Sequence, residues 1–209
     1  SKTFLLPVNA DIGLTELEQS EFKEKICNKF GTVIFMGGDD ISPNLYSEIN
    51  TSSKNTFKER DLWESKFIKP VISSNKTIIV GICRGAQLIS ANLGYSITQD
   101  ITSKKLLNSN HTGSENHFIY QVGSSTFLNA KNNQQLIVNS YHHQSIQYIS
   151  GGPLQITHIS GDGIGEAFEI KGKKSLLVQF HPEMNYKLNS SVIFFNELNS
   201  RQKKTRPFG

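Results

Sequence analysis

Short apolar runs alternate with amphipathic stretches through the first hundred residues of the chain. The runs Phe4–Val8, Thr32–Met36 and Thr77–Ile82 have the length of buried strands. Between them, Leu14–Phe30 carries apolar residues at spacings typical of one helix face, and Arg60–Ser73 is also helix-like. Helices that alternate with strands favour parallel pairing, so this half predicts a parallel sheet.

After position 100 the pattern becomes rich in short β-like segments separated by glycine-containing turns. These predicted strands are His117–Val122, Gln135–Val138, Gln155–Ser160, Ile164–Ile170 and Leu176–Phe180. A final helix is predicted over Lys187–Leu198. We therefore expect one α/β domain over residues 1–200, large enough for a central sheet covered on both faces.

Composition and charge exclude several classes of function. The net charge of +4 is concentrated in residues 201–209, which we interpret as a basic, mobile tail. No basic helix with interleaved aromatic residues is present, so a nucleic-acid partner is not expected. No apolar run approaches the ~20 residues that cross a membrane. Two cysteines cannot form a disulfide framework, which favours a reducing, cytoplasmic setting.

The sequence Gly81-Ile-Cys83-Arg-Gly85 lies between a predicted strand and a predicted helix. Glycines on both sides of a cysteine at such a turn are typical of a nucleophile elbow, which lifts the reactive atom above the sheet edge. The start of the following helix favours the thiolate form. The alternative is a small buried cysteine at the end of a core strand.

A cysteine nucleophile needs a base and an orienting acid. His181 directly follows the last predicted strand, and Glu183 lies two residues further on, after the rigid Pro182. The carboxylate of Glu183 could hold the second imidazole nitrogen, as in a triad with cysteine in place of serine.

An oxyanion hole needs two backbone N–H groups that converge on one point. We expect the first from Arg84, immediately after Cys83, and the second from Gly38 in the loop that follows Thr32–Met36. The alternative is that Gly37 and Gly38 only form a turn.

Four histidines invite a metal hypothesis. His142 and His143 could bind zinc together with His111 or His117. No cysteine and no pair of histidines at helical spacing supports this, so we predict a polar loop that contacts substrate and no metal.

Several segments, taken in order, resemble the class I glutamine amidotransferase-like superfamily. Within it they are most similar to the γ-glutamyl hydrolase group, peptidase family C26, which includes γ-glutamyl-γ-aminobutyrate hydrolases. The segments are Gly37–Tyr46, Arg60-Asp61 with Glu64, Gly81–Gln87, Gly94 through Ile101, Asn139–Gln144, Asp162-Gly163 with Glu166-Ala167, and Val178–Glu183. Tyr95 departs from the pattern, because relatives often carry a second glycine there.

The resemblance implies a doubly wound α/β fold with a mostly parallel central sheet, helices on both faces and an antiparallel β extension. It implies a triad of Cys83, His181 and Glu183 without a cofactor. It also implies hydrolysis of a γ-glutamyl amide through a γ-glutamyl thioester. The positions that match the glutamyl-binding region are Gly37, Gln87, Ser140, Tyr141, His142 and His143.

Three functions are compatible with these residues. The favoured hypothesis is a freestanding hydrolase acting on a small γ-glutamyl substrate, with a γ-glutamyl-aminobutyrate, a γ-glutamyl peptide and a γ-glutamyl nucleotide phosphoramidate all open. The alternative is a glutaminase subunit that delivers ammonia to a partner synthetase. A catalytically idle binding module is the third. A homodimer is left open.

Overall fold

The computed structural model describes residue 6 and residues 13–102, 111–128 and 135–204 of the 209-residue chain. Its helices are α1 (Glu16–Lys29), α2 (Lys58–Ser73), α3 (Arg84–Asn92) and α4 (Asn189–Lys204), with a 3₁₀ turn at Pro43–Tyr46. Its strands are β1 (Thr32–Phe35), β2 (Ile78–Ile82), β3 (Ile97–Thr98), β4 (Thr112–Gln121), β5 (Leu136–Tyr141), β6 (Ser145–Ile146), β7 (Leu154–Ser160), β8 (Gly165–Ile170) and β9 (Ser175–Val178). The predicted strand Phe4–Val8 lies outside the described residues apart from Leu6.

Seven strands form one mixed sheet in the order β1-β2-β9-β8-β7-β4-β5. The β1–β2 and β2–β9 pairs are parallel, whereas the other four pairs are antiparallel. The predicted α/β fold with an antiparallel extension is confirmed, and among the described strands the extension forms the larger part. Short turns join β7 to β8 and β8 to β9, and a short turn permits only antiparallel pairing.

Helices cover both faces of the sheet, as predicted. Alternate residues of β2 point to opposite sides, so Ile79 joins the core beneath α1, α2 and α3. Ile78 and Val80 join a second core, where Phe194 and Leu198 of α4 are buried. Full burial of an aliphatic side chain contributes roughly 1.5–3 kcal/mol, so the β2 and β9 strands are held by packing on both faces. Among the described residues, no helix combines the length and hydropathy that a membrane crossing requires.

The final helix is longer than the predicted Lys187–Leu198. It continues to Lys204, so the first four residues of the predicted tail 201–209 are helical. Arg201 accounts for part of this extension, because its guanidinium lies 3.9 Å from the ring centroid of Phe127 and donates to the carbonyl of Thr126. Residues 205–209 lie outside the described residues.

Tyr95, the departure from the family pattern, has a structural role. It is buried, and its hydroxyl accepts a 3.0 Å hydrogen bond from the N–H of Leu154 at the start of β7. The neighbouring strands β3 and β6 form a small separate ribbon that the sequence pattern did not predict. This ribbon anchors the segment that follows β5, where several predicted site residues lie.

Candidate active site

Cys83 occupies a strained turn between β2 and α3, with φ 48° and ψ −109°. A Cβ on Gly81 would lie 2.8 Å from the backbone nitrogen of Ala86, and one on Gly85 would lie 2.0 Å from the carbonyl oxygen of Phe35. Only glycine fits at either position, which explains the Gly-x-Cys-x-Gly spacing. The backbone therefore has the predicted elbow geometry, and Cys83 is largely buried at its tip.

The parallel pairing of β2 with β9 brings Cys83 to the same sheet edge as His181. The N–H of Cys83 donates a 2.7 Å hydrogen bond to the carbonyl of Val178, the last residue of β9. His181 follows three residues later, and its imidazole interacts with the side chain of Cys83, which raises the pKa of His181. The structure thus joins two residues that are almost a hundred positions apart in sequence.

Glu183 completes the candidate triad. Nδ1 of His181 lies 2.8 Å from Oε1 of Glu183. Burial lowers the pKa of His181, but the hydrogen bonds to Cys83 and Glu183 outweigh burial and raise this pKa to about 10. A high pKa favours an imidazolium that can share its proton with the sulfur.

The loop after β1 packs directly against the imidazole. A Cβ on Gly37 would lie 2.6 Å from Cε1 of His181, so no larger residue fits there without moving the ring. Gly38 has φ +151° and lines the cleft beside Cys83. Gly37, which the sequence assigned to substrate binding, therefore packs against the ring of His181, whereas Gly38 lines the cleft and its role as a backbone donor stays a prediction.

Asn139 of β5 was not singled out from the sequence, although it belongs to the Asn139–Gln144 segment. Its side-chain amide donates to the carbonyl of His181 at 2.6 Å, and its oxygen accepts from the N–H of His181 at 2.9 Å. These two bonds hold both the N–H and the carbonyl of His181 in place.

Two glutamines lie beneath the sulfur. Gln179 donates from Nε2 towards Sγ of Cys83 at 3.6 Å, and Gln87 donates to Oε1 of Gln179 at 3.2 Å. Gln87 was predicted to bind substrate. It lines the cleft, but its amide nitrogen is engaged by Gln179, so its contact with Cys83 runs through that residue. Gln179 was not singled out from the sequence, although it belongs to the Val178–Glu183 segment.

The side chain of Arg84 is buried and points away from the cleft. Its two terminal nitrogens lie 2.5 Å from carboxylate oxygens of Asp61 and Glu64. Both acids belong to α2, and Asp61 is fully buried. Arg84 therefore anchors the elbow helix to α2, and only its backbone N–H is a candidate for the oxyanion site.

Cys83 opens onto a cleft of about 230 Å³. The lining residues are Gly38, Asp39, Asp40, Lys54, Asn55, Cys83, Gln87, Tyr141, His142, His143 and Gln144. The lining includes two acidic residues, Asp39 and Asp40, and one basic residue, Lys54. His143 is positioned by Asp40, with 2.9 Å between its Nε2 and Oδ2 of the carboxylate.

Ser140 does not line the cleft, contrary to its predicted substrate role. It is fully buried, and its hydroxyl lies 2.7 Å from Nδ1 of His117. Successive side chains of a strand point to opposite faces, so Tyr141 faces the cleft while Ser140 points behind it.

Behind Ser140, the structure brings together His111, His117, His142 and Glu166. Burial raises the pKa of Glu166, but the surrounding imidazoles outweigh burial and hold this pKa well below its usual value. The sequence paired His142 with His143 as potential ligands, whereas the structure separates them, because His142 turns into the cluster and His143 turns to Asp40.

Comparison with known proteins places this geometry in a family. The family model described as Peptidase C26 matches residues 10–183, which include the elbow and the candidate triad. The chain belongs to the Peptidase C26 family. Family membership accounts for the order of the segments along the chain, from the Gly37-Gly38 loop to Glu183.

Individual relatives extend this finding. A candidate glutamine amidotransferase-like protein of Lactococcus lactis, YvdE, is 35% identical over 162 residues, which cover 74% of this chain and 66% of the relative. A γ-glutamyl-CDP-amidate hydrolase of Campylobacter jejuni is 28% identical over 181 residues, which cover 85% of this chain and 72% of the relative.

A crystal structure of a glutamine amidotransferase from Thermotoga maritima shares the fold. It superimposes with a TM-score of 0.55 at 14% identity, covering 85% of this chain and 74% of that chain. The C26 chain therefore has the glutamine amidotransferase-like fold.

Proposed function

We propose that this C26 protein is a cysteine hydrolase that cleaves a γ-glutamyl amide bond and releases glutamate. The observation that carries the proposal is the arrangement of Cys83, His181 and Glu183, in which the imidazole interacts with the Cys83 side chain and hydrogen-bonds with the carboxylate. A strained elbow, a buried thiol and a proton-holding histidine are the parts that nucleophilic acyl transfer needs.

The first half-reaction forms a thioester. The Cys83 thiolate attacks the γ-carbonyl carbon, and the carbonyl oxygen becomes an oxyanion near the N–H groups of Gly38 and Arg84. The imidazolium of His181 then gives its proton to the amide nitrogen. The C–N bond breaks, and the amine leaves with that proton while the γ-glutamyl group stays on sulfur.

The second half-reaction restores the enzyme. His181, now neutral, takes a proton from water, and the resulting hydroxide attacks the thioester carbon. The C–S bond breaks, the thiolate pairs again with the imidazolium, and glutamate leaves after its γ-carboxyl group gives its proton to solvent. Glu183 holds the imidazole tautomer through both halves.

The cleft supports a glutamyl head as the recognised part of the substrate. A free glutamyl head carries an ammonium and a carboxylate, which suit the carboxylates of Asp39 and Asp40 and the ammonium of Lys54. The name of the Campylobacter relative supports a γ-glutamyl amide whose amine half is larger than ammonia. The amine half would extend past Tyr141, which is partly exposed at the rim.

The names of other relatives support a second candidate, a glutaminase subunit of a glutamine amidotransferase. Such a subunit would use the same thioester chemistry, with ammonia as the leaving group and a partner synthetase as its acceptor. The free state of both cysteines is compatible with a cytoplasmic setting for either function.

The test is an assay of glutamate and ammonia release from glutamine and from a panel of γ-glutamyl amides. The panel contains γ-glutamyl-aminobutyrate, a γ-glutamyl dipeptide and a γ-glutamyl nucleotide phosphoramidate. Cys83→Ala should abolish release. The matched control Cys27→Ala should not, because Cys27 lies on the buried face of α1, in the core, and burial raises its pKa.

Mass spectrometry of acid-quenched protein should show a γ-glutamyl adduct on Cys83. Release from glutamine alone would favour the glutaminase candidate. Full activity of Cys83→Ala would overturn the nucleophile assignment, and no adduct or release from any member of the panel would overturn the proposed function.

A further inference from the structure

Behind the cleft wall, which His142 helps to form, three histidines surround one carboxylate in a buried cluster. His111 precedes β4, His117 lies in β4, His142 follows β5, and Glu166 lies in β8. Their exposed fractions are 2%, 8%, 5% and 0%. The proposed hydrolase mechanism does not use any of these four side chains.

The distances within this His₃Glu cluster are those of a coordination polyhedron. Oε1 of Glu166 lies 3.3 Å from Nδ1 of His111, 3.2 Å from Nε2 of His117 and 3.3 Å from Nε2 of His142. Nδ1 of His111 also lies 3.2 Å from Nε2 of His142, and all four atoms lie within 4.8 Å of one another. Ligand atoms that lie about 2.0 Å from a tetrahedral zinc ion are about 3.3 Å from one another. Four ligand atoms define six such distances, and four of the six already have about this length.

A polar group lies within hydrogen-bond distance of the outer nitrogen of each imidazole. Nε2 of His111 lies 3.0 Å from Oδ2 of Asp162, and Nδ1 of His142 lies 3.0 Å from the carbonyl oxygen of Gln144. Nδ1 of His117 lies 2.7 Å from the hydroxyl of Ser140. Metal-binding histidines usually donate their outer N–H in this way, because the outer acceptor fixes the tautomer and makes the inner nitrogen a better ligand.

These outer contacts determine what the inner nitrogens can do. The carboxylate of Asp162 and the carbonyl of Gln144 only accept, so the outer nitrogens of His111 and His142 carry hydrogen. In neutral rings, the inner nitrogens then present lone pairs to each other across 3.2 Å. Two facing lone pairs repel, and either a proton or a metal cation between them removes the repulsion.

Hydrogen bonds do not satisfy the centre of the cluster. Both carboxylate oxygens of Glu166 and Nε2 of His117 are buried without a hydrogen-bond partner. The contacts of 3.2–3.3 Å to Glu166 are longer than charge-assisted hydrogen bonds, which measure about 2.7–2.9 Å. Buried polar atoms of this kind need a partner, and one divalent cation would supply it for all of them.

We propose that His111, His117, His142 and Glu166 form a structural zinc site. Three imidazole nitrogens and one carboxylate oxygen are a donor set that suits zinc rather than magnesium or calcium. The two carboxylates of Glu166 and Asp162 balance the charge of Zn²⁺. Four protein ligands leave no open position, so the site binds the ion to hold strands together and not to activate water.

The zinc site would join β4, β5 and β8 directly behind the cleft. The N–H of His142 already donates to the carbonyl of His111 at 2.9 Å, which ties the two ligand-bearing segments together. Asn139, which holds His181, lies three residues before His142 on the same segment. Loss of the metal is therefore expected to make the position of His181, the proposed base, less well fixed.

The test uses the full chain with Cys83→Ala, so that the thiol cannot bind metal. The apoprotein, prepared with a chelator, is titrated with Zn²⁺ and with Co²⁺. We expect one zinc ion per chain by elemental analysis, a rise in the thermal unfolding midpoint, and the strong visible absorption of tetrahedral Co²⁺. His117→Gln and Glu166→Gln in the same background should each lower zinc affinity at least tenfold, whereas the control His143→Gln should not.

The outcomes separate the alternatives. If the Cys83→Ala chain takes up much less than one zinc per chain and shows no tetrahedral Co²⁺ spectrum, the zinc site is wrong and the cluster is a protonated histidine–carboxylate network. Uptake that His143→Gln removes, but His117→Gln does not, would place the ion elsewhere and also overturn the proposal. The Co²⁺ spectrum is measured on the Cys83→Ala chain with all four ligand residues intact. The zinc proposal can therefore be tested even if one of the ligand variants folds poorly.

Discussion

The side chain of Asn139 makes two hydrogen bonds with the backbone of His181. It donates to the carbonyl at 2.6 Å and accepts from the N–H at 2.9 Å. These bonds link the antiparallel half of the sheet to the segment that follows β9. The position of the proposed base therefore depends on a strand that lies at the other edge of the sheet from β1.

Asn139→Ala should reduce kcat by about 10- to 100-fold with little change in KM, because a base displaced by about 1 Å loses its alignment with the substrate. Asn139 does not line the cleft, so substrate binding should persist. Steady-state kinetics on the best γ-glutamyl substrate test this. The control Asn92→Ala removes bonds to Ser65 and Leu88 on the far side of α3 and should leave kcat near the parental value. An equal effect in both variants would contradict the positioning role.

Gly37→Ala should abolish most activity while the protein stays folded. The new methyl would lie 2.6 Å from Cε1 of His181, so the imidazole must move away from its present position. We expect a fall in kcat of about 100-fold or more. Gly161→Ala is the matched control, because its nearest neighbour, Cε2 of Tyr120, would be 3.9 Å away. Circular dichroism checks the fold, and wild-type kinetics in Gly37→Ala would show that the ring has room to adapt.

Glu183→Gln should lower the pKa of His181 from its value of about 10, because the carboxylate helps to hold the proton. Titration of the histidine resonances by NMR measures this pKa directly. The pKa in the folded state lies above the unfolded value of about 6.5. The interaction therefore stabilises the fold fully below about pH 6.5, and this contribution is lost as the pH rises towards 10. Glu183→Gln should accordingly be destabilising at about pH 6 and nearly neutral above about pH 10. An unchanged His181 titration would show that Glu183 does not hold the proton.

His158 should make the protein sensitive to acid. Burial lowers the pKa of this fully buried histidine to about 4, below the unfolded value. Below about pH 6.5, His158 binds a proton in the unfolded chain but not in the folded chain. The free energy of unfolding therefore falls as the pH drops from about 6.5 towards 4. The expected loss is about 1.5 kcal/mol between about pH 6.5 and about pH 5.

Urea unfolding at both pH values measures the loss. His158→Leu lacks the titrating group and should show a smaller decline between the two values, whatever its stability at neutral pH. A decline as large as that of the parent would mean that other groups cause the acid sensitivity.

Features set by local sequence were accessible without coordinates. The strand and helix around Cys83 follow from the apolar pattern and the flanking glycines, and His181 and Glu183 are two residues apart. The interactions of Asn139 and Gln179 were not accessible, because each reaches a partner 42 or 96 positions away through a side-chain hydrogen bond. No local signal encodes such a pair.

Ser140 and His142 show a different limit. Ser140 and Tyr141 were both assigned to substrate binding because they are neighbours in one segment. In a strand, neighbouring side chains point to opposite faces, and the sequence alone did not show which of the two faces the cleft. His142 and His143 are adjacent in sequence, yet His142 contacts Glu166 and His143 contacts Asp40, two partners that only the fold brings near. Arg201 was assigned to a mobile tail because its partner, the ring of Phe127, is brought near only by the fold.

The backbone bond between Cys83 and Val178 has an implication for how such a protein can change its specificity. Sulfur and imidazole follow two neighbouring strands whose spacing is a constant of sheet geometry, so the sheet sets the separation of their backbones, while contacts such as those of Asn139 and Gly37 orient the imidazole. Variation in the segments that carry Lys54 and Tyr141 leaves that spacing intact. Engineering of specificity for a new leaving group should therefore begin in the segments that carry Lys54 and Tyr141.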